Sequence, residues 1–275
     1  TLQATGGGNL TVNKLAGNAG VVQLDGSGSV MTLDGAWSNT GTLAMTGGTL
    51  NLGGSFTTAG IGTFVRTPNT AGTVNITGTL NNAGDTLTLD NATGTWALNG
   101  GMIQGGTLAF ADGQTLSITS NSNNRLSGVT VQGDLLLSAS SAQVKIEGGT
   151  SFANARLSGN SSAIGFAPGS VLTGNVIFEG PNTGSRYVDT NGSTGTFTVG
   201  PTGSIRTAPG FGGTGVIGFG GQFGGTMTLV NQGLISSETS GRQIHLDTRL
   251  SSVTNHGTLQ ATGGGNLTVN KLAGN

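Results

Sequence analysis

Three aspartates, Asp90, Asp112 and Asp134, recur at intervals of 22 residues. In a chain that coils with that period they would stack ~5 Å apart, near the separation of the carboxyl pair of a retaining glycosidase. General acid–base chemistry on a sugar is the first reaction these residue types suggest. Any two residues one coil apart share that distance, however. The spacing equally suits aspartates that close a strand at a polar corner, or a weak cation site. His245 lies in Ile244-His-Leu246, where alternation points it outward, and His256 sits in Asn255-His-Gly257. Neither has a third ligand nearby, so both read as surface histidines and no metal is expected. Gly6-Gly7-Gly8 and Gly212-Gly213 lack the Lys-Ser/Thr and the helix that make a phosphate loop work. No cofactor is expected, and with acids and bases scattered along the chain the reading is non-enzymatic.

Exposed aromatic rings would supply stacking platforms for sugars. Trp37 and Trp96 fall in apolar columns and read as core. That leaves Arg186, Tyr187 and Asp189 as candidate ligand contacts, carried on a stretch (181–195) that reads as a loop thrown out of the fold. An ice-binding face would need an unbroken rank of threonines. The outward second-strand position reads Thr11, Thr32, Asn51, Asn75, Ala97, Ser117, and the rank breaks after two turns.

The elements that carry these residues follow from composition and period. Gly and Thr supply 54 and 42 of the 275 residues, charged residues 8%, and there is no Cys. Ten basic against eleven acidic side chains exclude a nucleic-acid binder that works by neutralising phosphate. The lack of Cys excludes a disulfide-stapled scaffold. No apolar run approaches the ~18–20 residues of a membrane-spanning helix.

Residues 1–18 and 258–275 are identical, TLQATGGGNLTVNKLAGN, at an offset of 257. This is the mark of a tandem array, with 1–257 as one module and 258–275 as the start of the next. With no initiator Met, signal peptide or capping segment in view, the chain is expected to be a window of that array. A shorter period lies within it. Cutting at 1, 21, 42, 63, 86, 107, 129, 150, 171, 196, 216 and 234 gives twelve units averaging ~21 residues.

Three apolar columns run through the first six units. The first strand contributes Leu2, Val22, Leu43, Phe64, Leu87 and Leu108. The second contributes Leu10, Met31, Leu50, Val74, Trp96 and Leu116, and the third Leu15, Trp37, Phe56, Leu80, Met102 and Leu126. Spacing within each strand is two, the strand period. The fold class expected is all-β: a parallel β-helix (β-solenoid) of about twelve triangular turns of ~21 residues with no cap, each turn burying its inner face only by stacking on the next. Asn-x-Gly at Asn18–Gly20, Asn39–Gly41, Asn82–Gly84, Asn231–Gly233 and Asn255–Gly257 predicts corners, on the ground that both residues tolerate positive φ. Arg66 falls at an inward position, so its strand is expected to end early or shift register.

The corners and strands Asn39-Thr-Gly-Thr-Leu43 and Asn255-His-Gly-Thr-Leu259-Gln-Ala-Thr-Gly263 resemble the haemagglutinin-like and autotransporter-adhesin β-solenoids of large bacterial surface proteins. The resemblance implies a right-handed coil, secretion to the cell surface, and a role as stalk, fibre or adhesin. Expected partners are adjacent identical repeats stacked end to end, with an axial advance of roughly 58 Å per module at ~4.8 Å per turn, and cell-surface or matrix glycans. Nucleic acid and membrane insertion are not expected. A carbohydrate-binding module that uses 181–195 for recognition stays open as the alternative.

Overall fold

The computed structural model describes residues 1–17, 20–66 and 72–274. Short parallel strands stack as a β-solenoid of about 12 turns, with 1% of the chain helical. The residues cluster into two compact units, Thr1–Ser117 and Ile118–Asn275.

In the first unit the opening strands of successive turns form two ladders. One runs through Leu2–Ala4, Val21–Leu24, Thr42–Met45 and Thr63–Arg66, the other through Thr86–Leu89 and Thr107–Phe110. The second strands, Asn9–Asn13, Val30–Asp34, Gly48–Leu52, Gly72–Ile76 and Trp96–Leu98, pair in sequence order. Their register puts Met31, Leu50, Val74 and Trp96 in one column, each 1% exposed or less. Alternation of period two therefore decides which side chains fill the narrow core, as expected from the sequence.

Two expectations for this unit need correction. The third-strand column runs Phe56, Leu80, Ile103, not Met102. The corner after Leu98 is one residue longer than those after Leu52 and Ile76, so every following side chain changes face. Arg66 does not shift register: it pairs with Met45 and its strand holds to that residue. Its guanidinium donates to the Gly72 and Thr93 carbonyls. Gly94 makes room for it, since a Cβ there would lie 2.1 Å from Nη1. Backbone oxygens thus replace the water that burial removes.

In the second unit each turn opens on one of Thr130–Leu137, Ser151–Leu157, Asn175–Phe178, Ser204–Thr207, Leu234–Ser237 and Thr258–Ala261. The column Leu135, Ala155, Val176, Ile205, Ile235 is wholly buried. A second ladder runs through Arg125–Ser127, Gln143–Glu147, Ala163–Phe166, Ser185–Thr190, Thr214–Ile217, Gln243–Leu246 and Asn266–Val269. A third holds Val171–Leu172, Gly195–Val199, Met227–Asn231, Ser252–Asn255 and Leu272–Gly274. The unit starts expected at 171, 196 and 216 are therefore displaced, because those strands belong to the third and second ladders. The turns that open on Asn175 and Ser204 lengthen, to 29 residues between the paired Asn175 and Ser204 and 30 between the paired Ser204 and Leu234. Among the described residues the opening strands number six in each unit, and the last of them begins the repeated copy. The 257-residue period thus carries eleven opening strands where the cut into units predicted twelve.

Positive φ, the expected device, appears at Gly20 and Gly84 (77° and 80°) but not at Gly41, Gly233 or Gly257, nor at any described asparagine of these corners. Asn39, Asn82, Asn231 and Asn255 are buried, and their side-chain amides hydrogen-bond the backbone or one another. Asn39 Nδ2 donates to Ile61 O at 3.2 Å, and Asn231 Nδ2 donates to Asn255 Oδ1 at 2.7 Å. Gly257 is needed for close approach: a Cβ there would stand 2.3 Å from Gly233 O of the turn before. Asn18, of the corner Asn18–Gly20, lies outside the described residues, as does Asn275.

Candidate functional site

The three aspartates spaced at 22 residues are each spent locally. Asp90 Oδ1 accepts the Ala92 and Thr93 amides at 2.9 and 3.0 Å. The Thr93 hydrogen bond is foremost in holding its carboxyl below the usual range. Asp112 takes the Asn91 amide at 3.2 Å from a left-handed corner (φ 54°). Asp134 pairs with the Arg156 guanidinium and accepts from Asn154 Nδ2 at 2.7 Å. Burial pushes the Asp134 carboxyl up, but those bonds outweigh it and lower the net value. Each is a corner or ladder acid that already has its donors. His245 stands 2.9 Å from Asn270 Nδ2, and His256 is exposed in its corner. Among the described residues no three His, Cys, Asp or Glu side chains group as metal ligands. Trp37 and Trp96 are 5% and 1% exposed and donate to the Gly53 and Thr93 carbonyls.

The region around Tyr187 differs most from what its sequence suggests. Residues 185–190 are not an excursion. They form the strand Ser185–Thr190, paired on one side with Ala163–Phe166 and on the other with Thr214–Ile217. Alternation then separates the three candidates. Arg186 points inward and is fully buried. It donates to Ser158 O at 2.9 Å, Asn182 O at 3.2 Å and Gly184 O, with the Phe211 ring 5.4 Å away. Among the described residues no carboxylate forms an ion pair with it, and burial lowers its pKa. Tyr187 and Asp189 lie on the outer side, so the structure does not bring Arg186 and Asp189 together.

A glycine-rich segment, Gly218-Phe-Gly-Gly-Gln-Phe-Gly-Gly-Thr226, lies over that outer side. Phe219 packs 5.0 Å from the Tyr187 ring, and the Arg249 guanidinium sits 3.6 Å from the centre of the Phe219 ring. Phe223 lies under Lys145 at 5.7 Å and against Gly165, where a Cβ would come within 2.8 Å of the ring. Gln222 accepts from Gln143 Nε2 at 3.2 Å, and Thr190 Oγ1 donates to Gly224 O at 2.8 Å. Asp189 is sealed beneath this flap with no exposed surface. Its oxygens accept the Gly220 and Gln222 amides at 2.8 and 3.3 Å. Burial pushes the carboxyl up; the flap amides and the Arg249 charge oppose that shift without cancelling it. Backbone amides converging on one carboxylate make an anion-binding concavity, here filled by the protein's own side chain.

Of the three candidate contacts Arg186 and Asp189 are buried and Tyr187 is half-buried beside Phe219, while residues 181–183 and 192–194 of the same stretch are exposed. Phe219, Gln222, Phe223 and Arg249 are the residues that sequence reasoning missed. The signal for Phe219 and Phe223 was two phenylalanines in a glycine run without the period-two alternation of the strands. An apolar recess of about 170 Å³ opens elsewhere in the same unit, between Phe152, Phe166 and Leu172, and no titratable side chain lines it. No protein-family model, no curated protein and no solved structure matches this chain.

Proposed function

We propose that the chain is a structural module of a long extracellular β-solenoid, a fibre or adhesin stalk of the haemagglutinin-like or autotransporter-adhesin type, on a bacterial cell surface. Its partners are further copies of the same 257-residue module, stacked in one polypeptide, and it carries out no catalysis. One observation supports this reading above the others. Through Lys14 and Lys271 the two copies of the repeated segment take up the same turn conformations; beyond them they differ, with φ of 77° at Gly17 and no left-handed backbone at Gly274. Gly6 and Gly263 have φ of 59° and 56°, Gly7 and Gly264 of 82° and 79°, and Lys14 and Lys271 of 58° and 61°. The turn bond is 2.9 Å in each, Gly8 N to Thr5 O and Gly265 N to Thr262 O. One copy is seen with the turn that follows it, the other with the turn that precedes it. A solenoid turn covered on both sides needs both of these pairings, and an array of period 257 supplies them.

The test is a polypeptide of two, three and four consecutive periods imaged by electron microscopy. Rod length should grow by roughly 53 Å per added period, eleven turns at the strand spacing of ~4.8 Å. Globular beads joined by linkers would overturn the continuous-fibre reading. Surface placement is tested separately by antibody labelling of intact cells that express the full-length protein.

A further inference from the structure

We propose that Asn191-Gly192 is a site of spontaneous modification: the asparagine deamidates without an enzyme, and the acid that results unfastens the flap over residues 218–226. The chain has two Asn-Gly pairs, Asn99-Gly100 and Asn191-Gly192. Glycine matters in second place because the attacking group is its backbone nitrogen, which no Cβ hinders. Gly192, Ser193 and Thr194 are exposed, and among the described residues no acceptor takes the Gly192 N–H. The asparagine, by contrast, is held. Its main-chain N donates to Phe166 O at 2.9 Å, its Nδ2 donates to Glu147 Oε1 at 2.8 Å, and its Oδ1 accepts the Ser193 amide at 3.3 Å. That last donor stabilises the charge that gathers on the oxygen as a tetrahedral centre forms. The pair at 99–100 differs, since both of its residues are half-buried and both are engaged by neighbours.

The reaction consumes one water and releases one ammonia. Hydroxide removes the Gly192 N–H proton, the nitrogen bonds to Asn191 Cγ, and Nδ2 leaves as ammonia while a five-membered succinimide closes. Water then opens the ring at either carbonyl. Opening at Cγ gives aspartate; opening at the main-chain carbonyl gives isoaspartate, whose backbone is longer by a methylene. Either product sets a second carboxylate against Glu147, where an amide had donated, and two carboxylates at that distance repel. The stretch that carries Asn191 is the floor on which the far end of the flap rests. Thr190 Oγ1 donates to Gly224 O at 2.8 Å, Thr226 N to Thr194 Oγ1 at 3.1 Å, and Gly195 N to Thr226 O at 3.0 Å. Gly192 lies so near that a Cβ would stand 3.0 Å from Phe223 O. The Glu147 bond ties this floor to the strand Gln143–Glu147, two turns earlier in the same ladder. Repulsion at Asn191, or the added methylene, therefore shifts the floor and frees Phe223 and the flap amides that cover Asp189. The inference stands apart from the fibre reading.

The folded chain is incubated in mildly alkaline buffer, digested, and read by peptide mass spectrometry with an enzymatic assay for isoaspartate. The urea-unfolded chain, in which both Asn-Gly pairs are free to react, is the reference. The expected result is loss of the Asn191 amide in the folded chain, at a rate proportional to hydroxide, with isoaspartate among the products and Asn99 still an amide. The proposal is overturned if the folded chain keeps the Asn191 amide over a time in which the unfolded chain loses it, or if Asn99 reacts first. Unfastening is read by hydrogen exchange at Gly220, Gln222 and Gly224. Asn191→Asp, which carries the acid from the start, should speed exchange there several-fold. The reversed pair Glu147→Gln/Asn191→Asp, in which an amide again faces an acid, should return it to the native rate. Native exchange in Asn191→Asp overturns the unfastening. So does a reversed pair that exchanges as fast as Asn191→Asp, since charge at this contact would then not be the cause.

Discussion

Truncating Trp96 to Ala probes the column alignment on which the core depends. The indole is 1% exposed, stacks in register on Val74, and meets the Phe64 ring edge-on at 5.5 Å. A buried ring of this size removes on the order of 150–250 Å² from water, which at ~25 cal/mol/Å² amounts to about 4–6 kcal/mol. Alanine keeps a small part, and a narrow core of stacked strands cannot collapse into the void, so the cost should be about 3–5 kcal/mol. The lost indole hydrogen bond adds little, because Thr93 O still receives Arg66 Nη1 at 3.4 Å. Each solenoid turn touches only its neighbours, so the loss should concentrate in the turns around Trp96–Leu98. Urea unfolding followed by circular dichroism should show the first transition move down by roughly 1–3 M for a typical denaturant slope. Hydrogen exchange at the Val74 and Trp96 amides should accelerate most. The neighbouring Ala97→Ser, on the outer side, should stay within about 0.5 kcal/mol of the native chain. If Trp96→Ala unfolds at the native midpoint, or Ala97→Ser costs as much, the inward assignment of this column is wrong.

Protonation should tighten the flap over Asp189. A carboxyl whose folded pKa is raised binds more protons in the native state, so its stabilising contribution is complete below the unfolded value of ~3.9 and is lost as pH rises through the raised folded value. Asp90, Asp134 and Asp247 are held low and act oppositely, losing their contribution as pH falls below ~3.9. Hydrogen exchange at Gly220 and Gln222 should therefore slow on acidification just above that value, once corrected for intrinsic rates, and Asp189→Asn should abolish the dependence. Phe223→Ala should open the same segment at all pH values, read as faster exchange at Gly224 and Gly225, with the second-unit core strands unchanged. Gly54→Ala should cost at least ~1–3 kcal/mol by thermal unfolding, since its φ is +58° and a Cβ would lie 1.9 Å from Gly35 O; a neutral result would mean that this corner is not packed turn on turn.

Much of this protein is legible from local pattern. Alternation of period two selects Met31, Leu50, Val74 and Trp96 for one column because successive strand side chains must point to opposite faces, whatever the rest of the chain does. Asn-x-Gly announces corners, and eighteen identical residues announce the array. What eluded local pattern depends on counts and coverings that act across turns. One extra corner residue after Leu98 hands the core position to Ile103, and nothing within that strand signals it. The lengthened turns of the second unit assign Val171–Leu172, Gly195–Val199 and Thr214–Ile217 to ladders that only pairing partners reveal. Arg186, Tyr187 and Asp189 looked exposed because polar residues between glycines ordinarily are. Tertiary structure sent Arg186 inward onto three backbone carbonyls and laid Phe219 and Phe223 over the face where Asp189 stands, about thirty residues earlier in the chain. Direction along a strand is a property of the backbone and can be read from sequence; burial of an outward side chain is a property of whatever folds back upon it.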